Sequence, residues 1–156
     1  MHNELQFNKL NLINNALTLI DNDAPFISNL ANLSKLIFDS IPSVSWCGFY
    51  LSDETCEYLY LGPFQGPIAC TTIKYGKGVC GNSALRKEVQ LVPNVHEYPG
   101  HIACSSLTNS EVVIPLLKDN ICVGVLDLDS CEYNNFTKED VEILKEVCEL
   151  IVKLMK

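Results

Sequence analysis

Three cysteines stand in small-residue settings: Ile68-Ala69-Cys70, Gly78-Val79-Cys80-Gly81 and His101-Ile102-Ala103-Cys104. Gly and Ala beside a thiol let a backbone or a ligand approach closely, whereas a purely structural thiol usually has bulky neighbours. Beyond them Glu111, Asp127 and Asp129 are embedded in otherwise apolar, strand-like runs. A carboxylate there is costly to bury unless it binds something or is hydrogen-bonded, so the three acids mark a site. Thiols and inward acids together are the feature the rest of the chain has to account for.

The elements that must position these groups follow from periodicity. Apolar residues over 4–20 recur at near-helical spacing and predict a first helix. Asp23 is placed to cap a second, with Pro25 in its first turn and Phe26, Leu30, Leu33 and Leu36/Ile37 facing inward, ending before Pro42. Val44–Leu51 and Tyr58–Leu61 read as a hairpin about Asp53-Glu54-Thr55, while 62–67 is too rich in Gly and Pro for a regular element. A short helix is expected over about Val79–Arg86, so Cys80 lies near its amino terminus, where unpaired amides favour a thiolate. Glu88–Val92 reads as a strand and Pro93–Asn109 as a long loop of the kind that is usually functional. Glu111–Leu117 and Ile121–Leu128 form two strands around Lys118-Asp119-Asn120, and Thr137 with Asp140 makes a capping box for the last helix. The expected class is α+β, with a mainly antiparallel sheet and helices gathered on one face.

Composition narrows the function. A chain of 156 residues with 47% hydrophobic and 19% charged residues fits one soluble domain spanning 1–156, a helical segment at about 4–41 preceding a core at about 44–156. The net charge of −8 argues against nucleic acid and anionic membranes. No apolar run has the length of a membrane span and the Met1-His2-Asn3-Glu4 start lacks a charged-then-apolar pattern, so a cytoplasmic location with reduced thiols is expected. Of the eight cysteines, Cys47, Cys122 and Cys148 fall in apolar patterns and Cys56 and Cys131 at strand ends, which leaves the three motif thiols for chemistry.

Trp46-Cys47-Gly48-Phe49-Tyr50, Leu61-Gly62-Pro63-Phe64-Gln65-Gly66, Ala69-Cys70, Gly76-Lys77-Gly78-Val79-Cys80-Gly81, Pro99-Gly100-His101-Ile102-Ala103-Cys104, Ser110-Glu111-Val112 and Gly124-Val125-Leu126-Asp127-Leu128-Asp129-Ser130 occur in that order. Together they resemble the free methionine-(R)-sulfoxide reductases, which are built on a GAF domain, over about residues 44–148. The resemblance implies a six-stranded, mainly antiparallel GAF-like sheet flanked by helices, usually in a homodimer. It implies that Cys104 is the attacking thiol, with Cys80 and Cys70 as partner cysteines. Glu111, Asp127 and Asp129 match the family's substrate-binding acids, and Trp46 and Tyr50 its aromatic pocket residues. Asn94 and Ser105 depart from the family pattern, each standing where an Asp is usual. The implied cycle needs no metal or organic cofactor, only an external dithiol reductant such as thioredoxin.

Two other readings compete. His101 with Cys70, Cys80 and Cys104 offers four zinc ligands, but separations of ten and twenty-four residues between the cysteines fit no common structural site. A regulatory GAF module that binds a small molecule without catalysis is the second; Asn135-Phe136 with Asp140 faintly resembles a motif of cyclic-nucleotide-binding members. Such a sensor has no use for three motif cysteines.

Overall fold

The computed structural model describes residues 7–101 and 105–156. A 3-10 turn at Lys9–Asn11, capped by the Asn8 side chain, opens into α1 (Leu12–Leu19), and α2 runs Phe26–Ser40. The sheet is built from β1 (Trp46–Ser52), β2 (Tyr58–Gln65), β3 (Thr72–Lys74), β4 (Gln90–Val92), β5 (Ser110–Lys118) and β6 (Ile121–Ser130). α3 (Gly78–Arg86) lies between β3 and β4, and α4 (Lys138–Lys153) closes the chain. The strand order is β3-β2-β1-β6-β5-β4 and every neighbouring pair is antiparallel. No helix among the described residues is long and apolar enough to cross a membrane.

Alternation along the central strands divides the interior in two. Cys47 and Phe49 of β1, Val112, Ile114 and Leu116 of β5, and Leu126 and Leu128 of β6 face α1, α2 and α4, where they pack with Leu12, Leu30, Leu33, Ile37, Leu144, Val147 and Ile151. Burial of each such side chain contributes roughly 1.5–3 kcal/mol. Their neighbours in sequence point the other way. Trp46 and Tyr50, Val113 and Val125 pack with Val79, Cys80 and Ala84 of α3 and with Val92 and Val95. The helices are therefore not all gathered on one face: α3 lies on the opposite one, because its apolar positions Val79, Cys80 and Ala84 are spaced to cover the second cluster.

Several local expectations are corrected. Pro25, not Asp23, precedes the first turn of α2; Asp21 and Asn29 instead exchange hydrogen bonds that tie the α1–α2 connection down. β2 continues through Gly62-Pro63-Phe64-Gln65, the stretch rich in Gly and Pro, since a register shift opposite Gly48/Tyr50 absorbs the irregularity. The three-residue β3 is too short to leave a periodic signal. The first helix is shorter than 4–20; its start is a 3-10 turn, and residues 4–6 lie outside the described residues. The capping box is present: Thr137 Oγ1 accepts from the Asp140 amide at 3.1 Å, and Asp140 Oδ2 accepts from the Thr137 amide at 2.9 Å. Phe136 is core and Asn135 Nδ2 donates to the Pro42 carbonyl, so the stretch that resembled a nucleotide motif is structural.

Candidate active site

Because β5 and β6 pair in register, Glu111 sits directly across from Asp129, and Asp127 lies two residues along the same face. On the other side of β6, Asp127 faces Gly48 and Asp129 faces Trp46. A Cβ at Gly48 would sit 2.8 Å from Trp46 Cη2 and against Phe64 Cβ, so only glycine leaves room for the aromatic wall. That wall is a stack: Trp46 lies 5.8 Å from Tyr50 and 5.3 Å from Phe64, centroid to centroid. The cavity, about 90 Å³, is lined by Trp46, Tyr50, Cys80, Glu111, Asp127 and Asp129 together with His101, Ser105, Thr108 and Cys131.

The aromatics also hold the segment that carries Cys70. Trp46 Nε1 donates to the Pro67 carbonyl at 3.0 Å, and Tyr50 Oη donates to the Cys70 carbonyl at 3.2 Å. Cys70 packs against the second cluster and is disulfide-bonded, whereas Cys80 is free and buried. Cys104 lies outside the described residues. The segment leading to it is anchored from both sides: the His101 amide donates to the Tyr98 carbonyl, and Asn82 Nδ2 of α3 donates to Tyr98 Oη. Past it, the Asn109 amide donates to Ser130, and the Asn109 side chain donates to the Cys131 carbonyl at 2.7 Å.

Burial sets the protonation of the site. Glu111 is pushed well above the usual carboxylate range, first by desolvation and then by Asp127 and Asp129. Asp129 is raised well and Asp127 is raised, both mainly by burial, while hydrogen bonds from Glu111 pull both back down. Burial thus holds all three carboxyls above their usual range, Glu111 and Asp129 well above it, with Glu111 hydrogen-bonded to both aspartates. His101 Nε2 stands 3.8 Å from Glu111 Oε1, and burial depresses that imidazole, which keeps it neutral. The position of Cys80 at a helix start predicts a lowered thiol pKa, and the opposite holds. Burial raises it first, then the Asp127, Glu111 and Asp129 carboxylates. Cys80 is therefore a thiol, not a standing thiolate.

Of the residues expected at the site, Cys80, Glu111, Asp127, Asp129, Trp46 and Tyr50 converge on one cavity and Cys70 lies beside it. Asn94 is not at the cavity lining; its side chain accepts from the His96 amide at 3.0 Å and caps a 3-10 turn, a bond that Asn makes as well as Asp. Ser105 lines the cavity and accepts from the Leu107 amide at 3.3 Å. Phe64, Thr108 and Cys131 were not foreseen. For Cys131 a signal existed: 127, 129 and 131 alternate onto one face.

Comparison with known proteins matches this architecture. The GAF domain family model covers residues 37–154. The free methionine-R-sulfoxide reductase of Escherichia coli strain K12 is 42% identical over 137 residues, 88% of this chain and 82% of that one. The free methionine-R-sulfoxide reductase of Saccharomyces cerevisiae is 44% identical over 141 residues, 86% of this chain and 78% of that one. Among solved structures, the free methionine-R-sulfoxide reductase of Neisseria meningitidis in complex with its substrate superposes with a TM-score of 0.84 at 38% identity, covering 94% of this chain and 84% of that one. With its six-stranded antiparallel sheet and four flanking helices, the chain belongs to the GAF domain family and, within it, to the free methionine-R-sulfoxide reductases.

Proposed function

We propose that this protein reduces free L-methionine-(R)-sulfoxide to L-methionine. The observation that carries the reading is a trio of acids, Glu111 and Asp127 buried and Asp129 half-buried, with no Lys or Arg ion pair among the described residues, walled by an aromatic stack. An amino-acid ammonium supplies the missing positive charge at Asp127 and Asp129. Trp46 and Tyr50 wall the S-methyl end and select one sulfoxide epimer by shape.

In the proposed cycle Cys104 Sγ attacks the sulfoxide sulfur while Glu111, the carboxyl held protonated, donates to the sulfoxide oxygen. Methionine departs reduced by two electrons, and Cys104 retains the oxygen as a sulfenic acid. A second thiol attacks that sulfenic sulfur, water leaves, and a disulfide forms. The disulfide-bonded state of Cys70 supports it as this second thiol, whereas Cys80 remains a free thiol among the acids. A dithiol of thioredoxin type then takes up the oxidising equivalents by exchange and restores both thiols. The protein is proposed to act in the cytoplasm as a homodimer, for which the exposed Leu10, Leu17 and Ile27 of the helical layer supply apolar contact.

The test is turnover of the separate R and S epimers of free methionine sulfoxide by reduced protein with dithiothreitol, beside Cys104→Ser. Turnover of the R epimer alone, abolished in the variant, is expected. Failure with both epimers would leave a GAF module that binds a small molecule without chemistry.

A further inference from the structure

The cavity contains a thiol, Cys80, that the proposed reduction does not use, beside two of the acids assigned to substrate. Cys80 Sγ from α3, a Glu111 oxygen from β5 and an Asp127 oxygen from β6 all lie within 4.8 Å of one another, and all three residues are buried. Asp127 is 5% exposed and lines the cavity, yet its Oδ1 has no hydrogen-bond partner among the described residues. An orphaned carboxylate oxygen beside a thiol and a second carboxyl lacks a cation, not another hydrogen bond. Lys77 lines the same cavity but makes no ion pair with this trio.

We infer that Cys80, Glu111 and Asp127 form a binding site for a thiophilic divalent cation, zinc foremost, which occupies the substrate cavity and competes with the amino acid. The donor chemistry selects the metal. Magnesium and calcium take all-oxygen shells, whereas one thiolate with two carboxylates suits a borderline-soft ion. Tetrahedral zinc, with bonds of about 2.3 Å to sulfur and about 2.0–2.2 Å to oxygen, places its donor atoms roughly 3.3–3.7 Å apart. Three donors already within 4.8 Å reach that spacing by small side-chain movements. Ligation displaces the protons of Cys80 and Glu111 to solvent, and three protein ligands leave a fourth position open to the cavity. The set shares only Cys80 and not its partners with the cysteine-histidine combination that the sequence suggested. The competitive part rests on the proposed function, because the metal takes the carboxylates assigned to substrate.

The test uses the full chain in its disulfide form, in which Cys70 is unavailable as a ligand. Cobalt(II) added to this form should give a near-ultraviolet thiolate-to-cobalt charge-transfer band that saturates at one equivalent per chain and is bleached by zinc. Cys80→Ser should abolish the band and weaken zinc binding at least about tenfold. Cys56→Ser and Cys131→Ser, which remove the half-buried and exposed thiols, should leave the band intact. Glu111→Gln keeps the side-chain shape and should weaken zinc too, which preserves the test if Cys80→Ser does not fold. Free methionine should lower the apparent zinc affinity, and zinc should inhibit single turnover by reduced, desalted protein. A wild-type protein without the band, a band that survives Cys80→Ser, or zinc binding indifferent to methionine each overturns the inference. Metal-free protein that does not reduce the sulfoxide would overturn the proposed function and leave the cobalt result standing.

Discussion

The two faces of the sheet share the central strands β1, β5 and β6, yet they do opposite things with polar groups. On the helical face the buried acid Asp140 is matched: it caps α4 through Thr137 and receives Lys9 Nζ at 2.7 Å. On the other face Glu111, Asp127 and Asp129 are hydrogen-bonded together, and among the described residues their one ion-pair contact is with a neutral His101 at 3.8 Å from Glu111. Thiols divide the same way. Cys148 lies among aliphatic side chains on the helical face, where burial pushes it up, and Cys80 lies among carboxylates. A compensated charge stabilises a fold; an uncompensated one is held at a cost by the surrounding structure and is free to bind.

Glu111→Gln breaks the comparison at its strongest point. Loss of the proton donor should lower kcat/KM by roughly 10²–10⁴-fold. Stability should move the other way. A carboxyl whose folded pKa is raised above its unfolded value contributes stability that is fully present below the unfolded pKa and is lost as pH rises through the folded one. Glu111 is such a group, so at neutral pH the wild type bears the penalty and the glutamine variant does not. The expected outcome is a melting temperature higher by roughly 2–4 °C at pH 8, with the gain vanishing toward pH 4. The alkaline limb of the activity profile, where Glu111 loses its proton, should disappear with it. A variant that is both active and less stable would show that Glu111 is structural.

Neighbouring residues on β6 sharpen the contrast. Leu128 is fully buried against the helices and Asp129 points to the cavity. Leu128→Ala should cost about 2–5 kcal/mol in denaturant unfolding, with KM unchanged wherever the protein is folded. Asp129→Asn should leave stability equal or improved and raise KM for the sulfoxide. One residue of register separates the two phenotypes.

Much of this was legible in the sequence because alternation is a strict rule. Asp127 and Asp129 lie two apart on one predicted strand, so alternation puts them on a common face. The capping box at Thr137 was readable because its two partners are three residues apart. What escaped depended on tertiary context. Val79, Cys80 and Ala84 show which side of α3 is apolar, but not which side of the sheet it covers. The rise in the Cys80 pKa comes first from burial and then from acids thirty-one to forty-nine residues away, neither of which the local helix start reveals. Phe64 was hidden in a stretch of Gly and Pro that reads as loop and is strand only because β1 accepts a shifted register.

Gly48→Ala comes next in size. The added methyl would press on Phe64 Cβ and on Trp46, both on the cavity face, while leaving the helical core untouched. Overpacking of this kind costs about 1–3 kcal/mol. The aromatic stack moves first, so discrimination between the R and S epimers should weaken before the global fold does. Unaltered epimer preference at reduced stability would place the strain elsewhere.

The smallest effect probes the compensated acid. Thr137→Ala removes the hydroxyl that accepts from the Asp140 amide and frees one amide at the start of α4. A lost cap of this type costs about 1 kcal/mol, or roughly 2–4 °C in a domain of this size. Asp140 keeps its bond from the Thr137 amide and its contact with Lys9, so its charge stays paired. The penalty should leave both kcat and KM alone. Set beside Glu111→Gln, it gives the mirror image: stability falls and activity survives. If Thr137→Ala also impaired turnover, the two faces would be coupled through β5 and β6, and the division of labour drawn from their alternation would fail.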